Sequence, residues 1–236
     1  QGVHSVTAKA TDVAGNPGAA SAALLITVDT HDDAATGTLT TGGTVAEGGT
    51  VTSTFSATDP DGSFTTAYKW QISADGSTGW TDIAGATSSS YTIASDQSQV
   101  GKYLRVVATT TDVLGGTTTF NSAATAAVTN VDDAATGTLT TGGTVAEGGT
   151  VTSSLTATDA DGSFTTAYQW QISADGSTGW TDLTGATSSS YTVAADQSQV
   201  GKYLRVVGVT TDALGGNTTF TSAATTAITK IGRAHV

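Results

Sequence analysis

YKWQISADGSTGWTDIAGATSSSYTIASDQSQVGKYLRVV, residues 68–107, alternates apolar and polar side chains in short runs broken by Asp, Gly and Ser clusters. Successive side chains of a strand point to opposite faces. Tyr68, Trp70 and Ile72 therefore share an inward face, and Lys69 and Gln71 point outward. Asp75-Gly76 turns the chain into a strand holding Trp80 and Ile83. Tyr91 and Ile93 share a face of the next, at 89–94. Leu104, Val106 and Ala108 line one side of a long strand at 101–111. Upstream, Asp59-Pro60-Asp61-Gly62 is a tight turn, with Pro at the second position and Gly at the last. It follows a strand at 50–58 with Val51, Phe55 and Ala57 on one face, itself preceded by short pieces at 37–41 and 44–46. Downstream, Leu114-Gly115-Gly116 leads into a last strand expected over 117–128. Short strands separated by turn signals every 8–12 residues, with no helical periodicity, predict an all-β sandwich. Trp70 is placed at its centre, packed with Tyr91, Phe55, Leu104 and Val106.

The same hundred residues are written twice. Residues 33–130 and 133–230 differ at 17 of 98 positions, mostly mildly: Ile93 becomes Val193, Ile83 becomes Leu183, Val128 becomes Ile228. So long a period means tandem domains and not a solenoid. Each unit is large enough to bury its own core. The expected domains are 32–131 and 132–230. Residues 1–31 read as two strands around Val13-Ala14-Gly15-Asn16-Pro17-Gly18, the end of a preceding domain cut short. Residues 231–236, Ile-Gly-Arg-Ala-His-Val, break the repeat and are read as a non-native tail matching a translated sequencing adapter.

Composition narrows the function. Cys and Met are absent and the net charge is −12, which argues against nucleic acid and against anionic membrane surfaces. An Asp-rich surface poor in Lys suits hard cations such as calcium. His4, His31 and His235 are the three histidines, all outside the repeats, so no repeat holds a Ser-His-Asp or Cys-His arrangement. Asp59 and Asp61 share one turn and make a poor acid/base pair. Asn217-Thr218-Thr219 fits a glycosylation pattern that copy one lacks at Thr117, and is set aside as chance. No enzyme is expected.

The order Y-x-W-x-x-S-x-D-G, then W-x-x-I-x-G-A, then V-G-K-x-L-R-V resembles the immunoglobulin-like repeats of large bacterial surface and RTX-type adhesins. The resemblance covers nearly all of both repeats. It implies tandem immunoglobulin-like sandwiches without the usual cysteines, in a cell-surface or secreted fibre. It also implies calcium at domain junctions, with a ligand set that varies among relatives.

Placed on that topology, the acidic residues sort by pole. Asp32, Asp33, Asp59, Asp61 and Asp112 fall at the N-terminal pole of copy one, with Asp29 just before. Asp132, Asp133, Asp159, Asp161 and Asp212 do so in copy two. Glu47, Asp75 and Asp96 fall at the opposite pole, and Glu47 and Asp96 are expected to face the next domain. Crowded carboxylates repel unless a divalent cation sits among them. Asp is equally a favoured turn residue, because it hydrogen-bonds the backbone two residues on. Junction calcium and plain turns both stand at this point.

The expected function is a non-catalytic extracellular stalk or spacer. Its partners are neighbouring repeats of the same chain, with any host or matrix ligand held by domains beyond it. The alternative is a glycan- or protein-binding module using Lys69, Gln71, Tyr103 and Arg105, or Trp80. A remoter one is an accessory array on a secreted polysaccharide-degrading enzyme. Exposure of an aromatic and Arg cluster would favour binding; burial of both Trp70 and Trp80 would favour the spacer.

Overall fold

The computed structural model describes residues 2–28 and 30–232, and no helix occurs among them. The chain opens with an antiparallel hairpin of β1 (Gly2–Val6) and β2 (Leu24–Val28), in register Gly2↔Val28. Its turn is organised by Asp12 Oδ1, which accepts the N–H groups of Ala14 and Asn16, both at 2.9 Å. Val3, Val6, Leu24 and Leu25 are exposed. Two strands alone bury too little to be stable in isolation.

The first repeat forms β3 (Thr36–Gly43), β4 (Thr50–Thr58), β5 (Phe64–Ser73), β6 (Thr81–Asp82), β7 (Ser90–Thr92), β8 (Tyr103–Asp112) and β9 (Thr117–Asn121). They make two antiparallel sheets, ordered β3-β4-β7 and β6-β5-β8-β9. The inward residues of both faces meet in one core: Leu39, Val51, Trp70, Ile93, Leu104, Val106, Ala108 and Val128, with Phe55, Tyr68 and Tyr91 against them. This is the all-β sandwich the alternation predicts.

Trp70 is 0 % exposed. Its indole N–H donates to the Ser88 carbonyl at 3.0 Å, its backbone N–H to Ala86 at 2.9 Å, and its carbonyl accepts from Ile83 at 2.9 Å. Residues 83–88 thus wrap the ring. Tyr91 lies 6.2 Å away, tilted by 32°.

Two expectations need correction. The last strand stops at Asn121 instead of running to residue 128. Beyond it, Ser122 Oγ accepts the Val106 N–H and Thr125 Oγ1 accepts the Leu104 N–H, each at 3.0 Å. Side-chain hydroxyls take over where the backbone ladder would have continued. Gln71 does point outward, yet it is 8 % exposed, because a second layer of side chains covers that face.

The second repeat repeats the plan in β10 (Thr136–Gly143), β11 (Thr150–Thr158), β12 (Thr165–Ser173), β13 (Thr181–Asp182), β14 (Ser190–Thr192), β15 (Tyr203–Thr211) and β16 (Asn217–Thr221). The sheets are β10-β11-β14 and β13-β12-β15-β16 around Trp170. By contacts, one compact unit comprises Gln1–Ser95 with Gln99–Thr129, and the other comprises Asp96–Ser98 with Asn130–Val236.

Candidate metal centre

In the first unit, three chain segments bring carboxylates to one place. The Asp59-Pro60-Asp61-Gly62 turn is closed by the Gly62 N–H on the Asp59 carbonyl at 3.1 Å. Asp59 Oδ1 accepts the Asp61 N–H at 2.9 Å, so Asp59 spends its carboxylate on the turn. Asp61 is thereby aimed at the chain leading into β3, where its Oδ2 accepts the Asp33 N–H at 2.7 Å. In the β8–β9 hairpin, Asp112 Oδ1 accepts from Leu114 at 2.7 Å and Gly116 at 3.1 Å. Asp32 completes the group by lying against Gly116, where any Cβ would overlap the Asp32 and Asp112 carboxylates. A larger residue there would push these two carboxylates aside.

Asp32, Asp61 and Asp112 can each offer one oxygen such that all three lie within 4.8 Å of one another. Three carboxylate oxygens this close could share one cation, and calcium is a cation that takes oxygen ligands. Three carboxylates fill only part of a shell of six to eight oxygens. Asp132, Asp161 and Asp212 form the same cluster within the second unit, with matching support: Asp161 Oδ2 accepts from Asp133 at 2.7 Å and Asp212 Oδ1 from Leu214 at 2.7 Å.

The crowding shows in the electrostatics of the carboxyls. Partial desolvation, then the negative charge of Asp112, pushes the Asp32 carboxyl up. Desolvation acts on Asp112 too, but donation from the backbone of Gly116 and Leu114 outweighs it and holds that carboxyl below its ordinary value. Asp132 and Asp212 diverge in the same sense. Two carboxylates in contact cannot both ionise freely without a proton or a cation between them.

The other sequence candidates sit elsewhere. Asp33 and Asp133 contribute their backbone N–H groups, and Asp59 and Asp159 cap their turns. Glu47 is buried within its own unit, its N–H on the Thr129 carbonyl at 2.9 Å. Asp96 accepts the hydroxyl and N–H of Ser98, which hold it below the usual carboxylate range. Asp75 is held far below that range by the Thr78 hydroxyl, then the N–H groups of Thr78 and Ser77. Asp29 lies outside the described residues, as do 233–236 of the tail.

The outward face of β5 and β8 is organised by polar pairs between neighbouring strands. Arg105 stands opposite Gln71 in register, and its Nε donates to Gln71 Oε1 at 2.7 Å. Gln71 Nε2 donates to Asp82 at 2.5 Å, and Lys69 pairs with Asp82 at 3.1 Å. The Arg105 guanidinium sits 4.4 Å from the Trp80 ring centre, and Arg205 does the same over Trp180.

Both repeats match one family, described as a domain of unknown function, DUF8696, at residues 35–131 and 135–230. No curated protein matches the chain. Among solved structures, one described as a calcium-stabilised adhesin that helps an Antarctic bacterium reach out and bind ice aligns with 95 % of this chain and 56 % of its own, at 21 % identity and a TM-score of 0.34. A bacterial ice-binding adhesin, described in connection with host cell surface retention, aligns with 95 % of this chain and 73 % of its own, at 21 % identity and 0.31. A tetra-tandem repeat from the extending region of a large adhesion protein aligns with 96 % of this chain and 56 % of its own, at 19 % identity and 0.27. The chain thus spans little more than half of the first of these. At such scores the likeness carries no weight about function.

Proposed function

We propose, for a chain that belongs to the DUF8696 family through both of its repeats, that the repeats are non-catalytic extracellular spacer modules of a bacterial surface adhesin, each stiffened by calcium. The observation that carries the reading is the three-carboxylate cluster, built twice from three separated segments, while 17 of 98 positions differ between the copies. A cation bound there ties the chain entering the sandwich, through Asp32, to the loop before β5 and the loop after β8. The residues just before the domain lose freedom, and a string of such modules resists bending. Strands of about ten residues at about 3.3 Å each give a module roughly 30–40 Å long, so reach scales with copy number. Neighbouring repeats are then the main partners. The rival reading, a glycan- or protein-binding face, would need Trp80 free, whereas its half-buried ring carries Arg105.

Calorimetry tests this directly. About two calcium ions should bind per chain with dissociation constants on the order of 10⁻⁴–10⁻³ M, and the thermal midpoint should rise by several degrees at saturation. Asp32→Asn combined with Asp132→Asn should abolish both effects. No heat and no shift at millimolar calcium would sink the proposal.

The same variant carries a pH prediction. Asp32 and Asp132 have folded pKa values above 3.8, so ionising them costs the native state. Their contribution is most favourable below pH 3.8 and is lost as pH rises through the folded values. In chelator, the Asn variant should therefore lack that loss and melt at or above the parent temperature at neutral pH. A variant that melts lower would show the two residues to be structural acceptors instead.

A further inference from the structure

Arg105 and Arg205 are the only arginines among the described residues, and each is held in the same way. The Arg105 Nε donates to Gln71 Oε1 at 2.7 Å, and the Arg205 Nε donates to Gln171 Oε1 at 2.6 Å. Each guanidinium lies 4.4 Å from a ring centre, that of Trp80 or Trp180. Gln71 is itself buried and tied by its amide to Asp82, so the holder is fixed before any ligand arrives. Trp80 is therefore not free to meet a ligand. It is the platform that aims the arginine.

The edge that the platform aims is open. The chain has 20 acidic residues against 8 Lys and Arg, yet the ion pairs among the described residues are His31 with Asp33 and Lys69 with Asp82. Neither guanidinium takes part, and no described residue accepts a hydrogen bond from its Nη1 or Nη2. With Nε spent on the glutamine, the end of the fork is left: two parallel N–H groups spaced for the two oxygens of a carboxylate. Tyr103 lies two residues along the same face of β8, about 6.6 Å along the strand and within the span of one sugar. The turn at Gly76 lies against its ring, where an added Cβ would come within 2.9 Å, so the ring too is fixed.

We infer that each repeat carries a carboxylate site at the outer edge of Arg105 or Arg205, suited to a uronic-acid sugar whose carboxylate meets the fork and whose ring reaches Tyr103 or Tyr203. A second copy of this chain is a poorer source of the carboxylate, because Asp59, Asp61, Asp75 and Asp112 already accept backbone N–H groups of their own repeat. The two sites are unequal. Lys69 pairs with Asp82 at 3.1 Å and offsets the carboxylate that Gln71 joins to the fork. Its counterpart Gln169 donates instead to the carbonyls of Trp170 and Leu183, at 2.8 and 2.9 Å, and leaves Asp182 its full charge. An arriving anion thus meets less repulsion at Arg105 than at Arg205. The site goes beyond the spacer reading and depends on no cation.

Nuclear magnetic resonance of the full chain in chelator, titrated with glucuronate, acetate and glucose, tests this. Glucuronate should shift the Arg105 Nε–H and Tyr103 signals together, with Arg205 and Tyr203 binding about twofold more weakly, the scale of one exposed ion pair. Acetate should move the arginine signals at lower affinity and leave the tyrosines, and glucose should move neither. Arg105→Lys keeps the charge but not the fork, and should weaken the first site roughly tenfold, the scale of one charge-assisted hydrogen bond. Lys69→Gln with Gln169→Lys installs in each repeat what the other already carries, and should exchange the ranking of the two sites. Arg105 signals that stay still, glucuronate binding no tighter than acetate, or a ranking unchanged by the exchange would overturn the assignment. So would a poly-glutamate peptide that binds more tightly than an oligogalacturonate, because the partner would then be an acidic protein segment.

Discussion

Replacing Trp70 by alanine is expected to cost the first repeat about 3–5 kcal/mol, and Trp170→Ala should cost the second as much. The ring is fully buried, and the fold is arranged around it: residues 83–88 hydrogen-bond its backbone and its indole, and Tyr91 packs on its face. No cysteine backs this core, so packing alone must hold the sheets together. A loss of that size is a large share of the stability of a domain of this length. In denaturant unfolding of the full chain, Trp70→Ala should move the transition of one repeat and leave the other in place, because the two cores share no residue. Trp80→Ala is the internal comparison. That ring is half-buried under Arg105, and its loss should cost clearly less. A cost below about 1 kcal/mol for Trp70→Ala would mean the sheets close without it.

Much of the sandwich is legible because burial leaves a period of two. Val51 and Phe55, Tyr68, Trp70 and Ile72, and Leu104, Val106 and Ala108 announce their faces, and β4 begins and ends where alternation says. The period is silent about what covers an outward face. Gln71 is buried because Arg105 and Asp82 meet it from neighbouring strands, a fact of register and not of local pattern. The turn at Asp59–Gly62 is legible from its Pro and Gly. Which of its two carboxylates caps the turn and which reaches Asp33 is decided by competition among nearby donors, and no pattern encodes that.

The end of β9 shows the same lesson with a measurable consequence. Residues 123–127 read Ala-Ala-Thr-Ala-Ala and offer neither alternation nor a turn, so the strand was expected to run on. Instead, the Ser122 hydroxyl accepts the Val106 N–H at 3.0 Å and donates to the Ala123 carbonyl at 2.9 Å. Val106 is 0 % exposed and Ser122 is 7 % exposed, so water cannot readily replace the lost acceptor. Ser122→Ala removes one oxygen and leaves a buried N–H without its acceptor. The expected cost is about 1–3 kcal/mol, the desolvation penalty of an unmet donor, and Ser222→Ala should match it in the second repeat. Thr125→Ala deprives the Leu104 N–H in the same way, but Thr125 is half-buried and solvent can compensate, so its cost should be smaller. Ser95→Ala is the benign control, since Ala already stands at 195. Amide exchange at Val106 should accelerate in Ser122→Ala beyond what the global loss of stability explains. If the cost stays below about 0.5 kcal/mol and Val106 remains protected, the strand has closed on a backbone acceptor, and the hydroxyl is incidental to how the sheet ends.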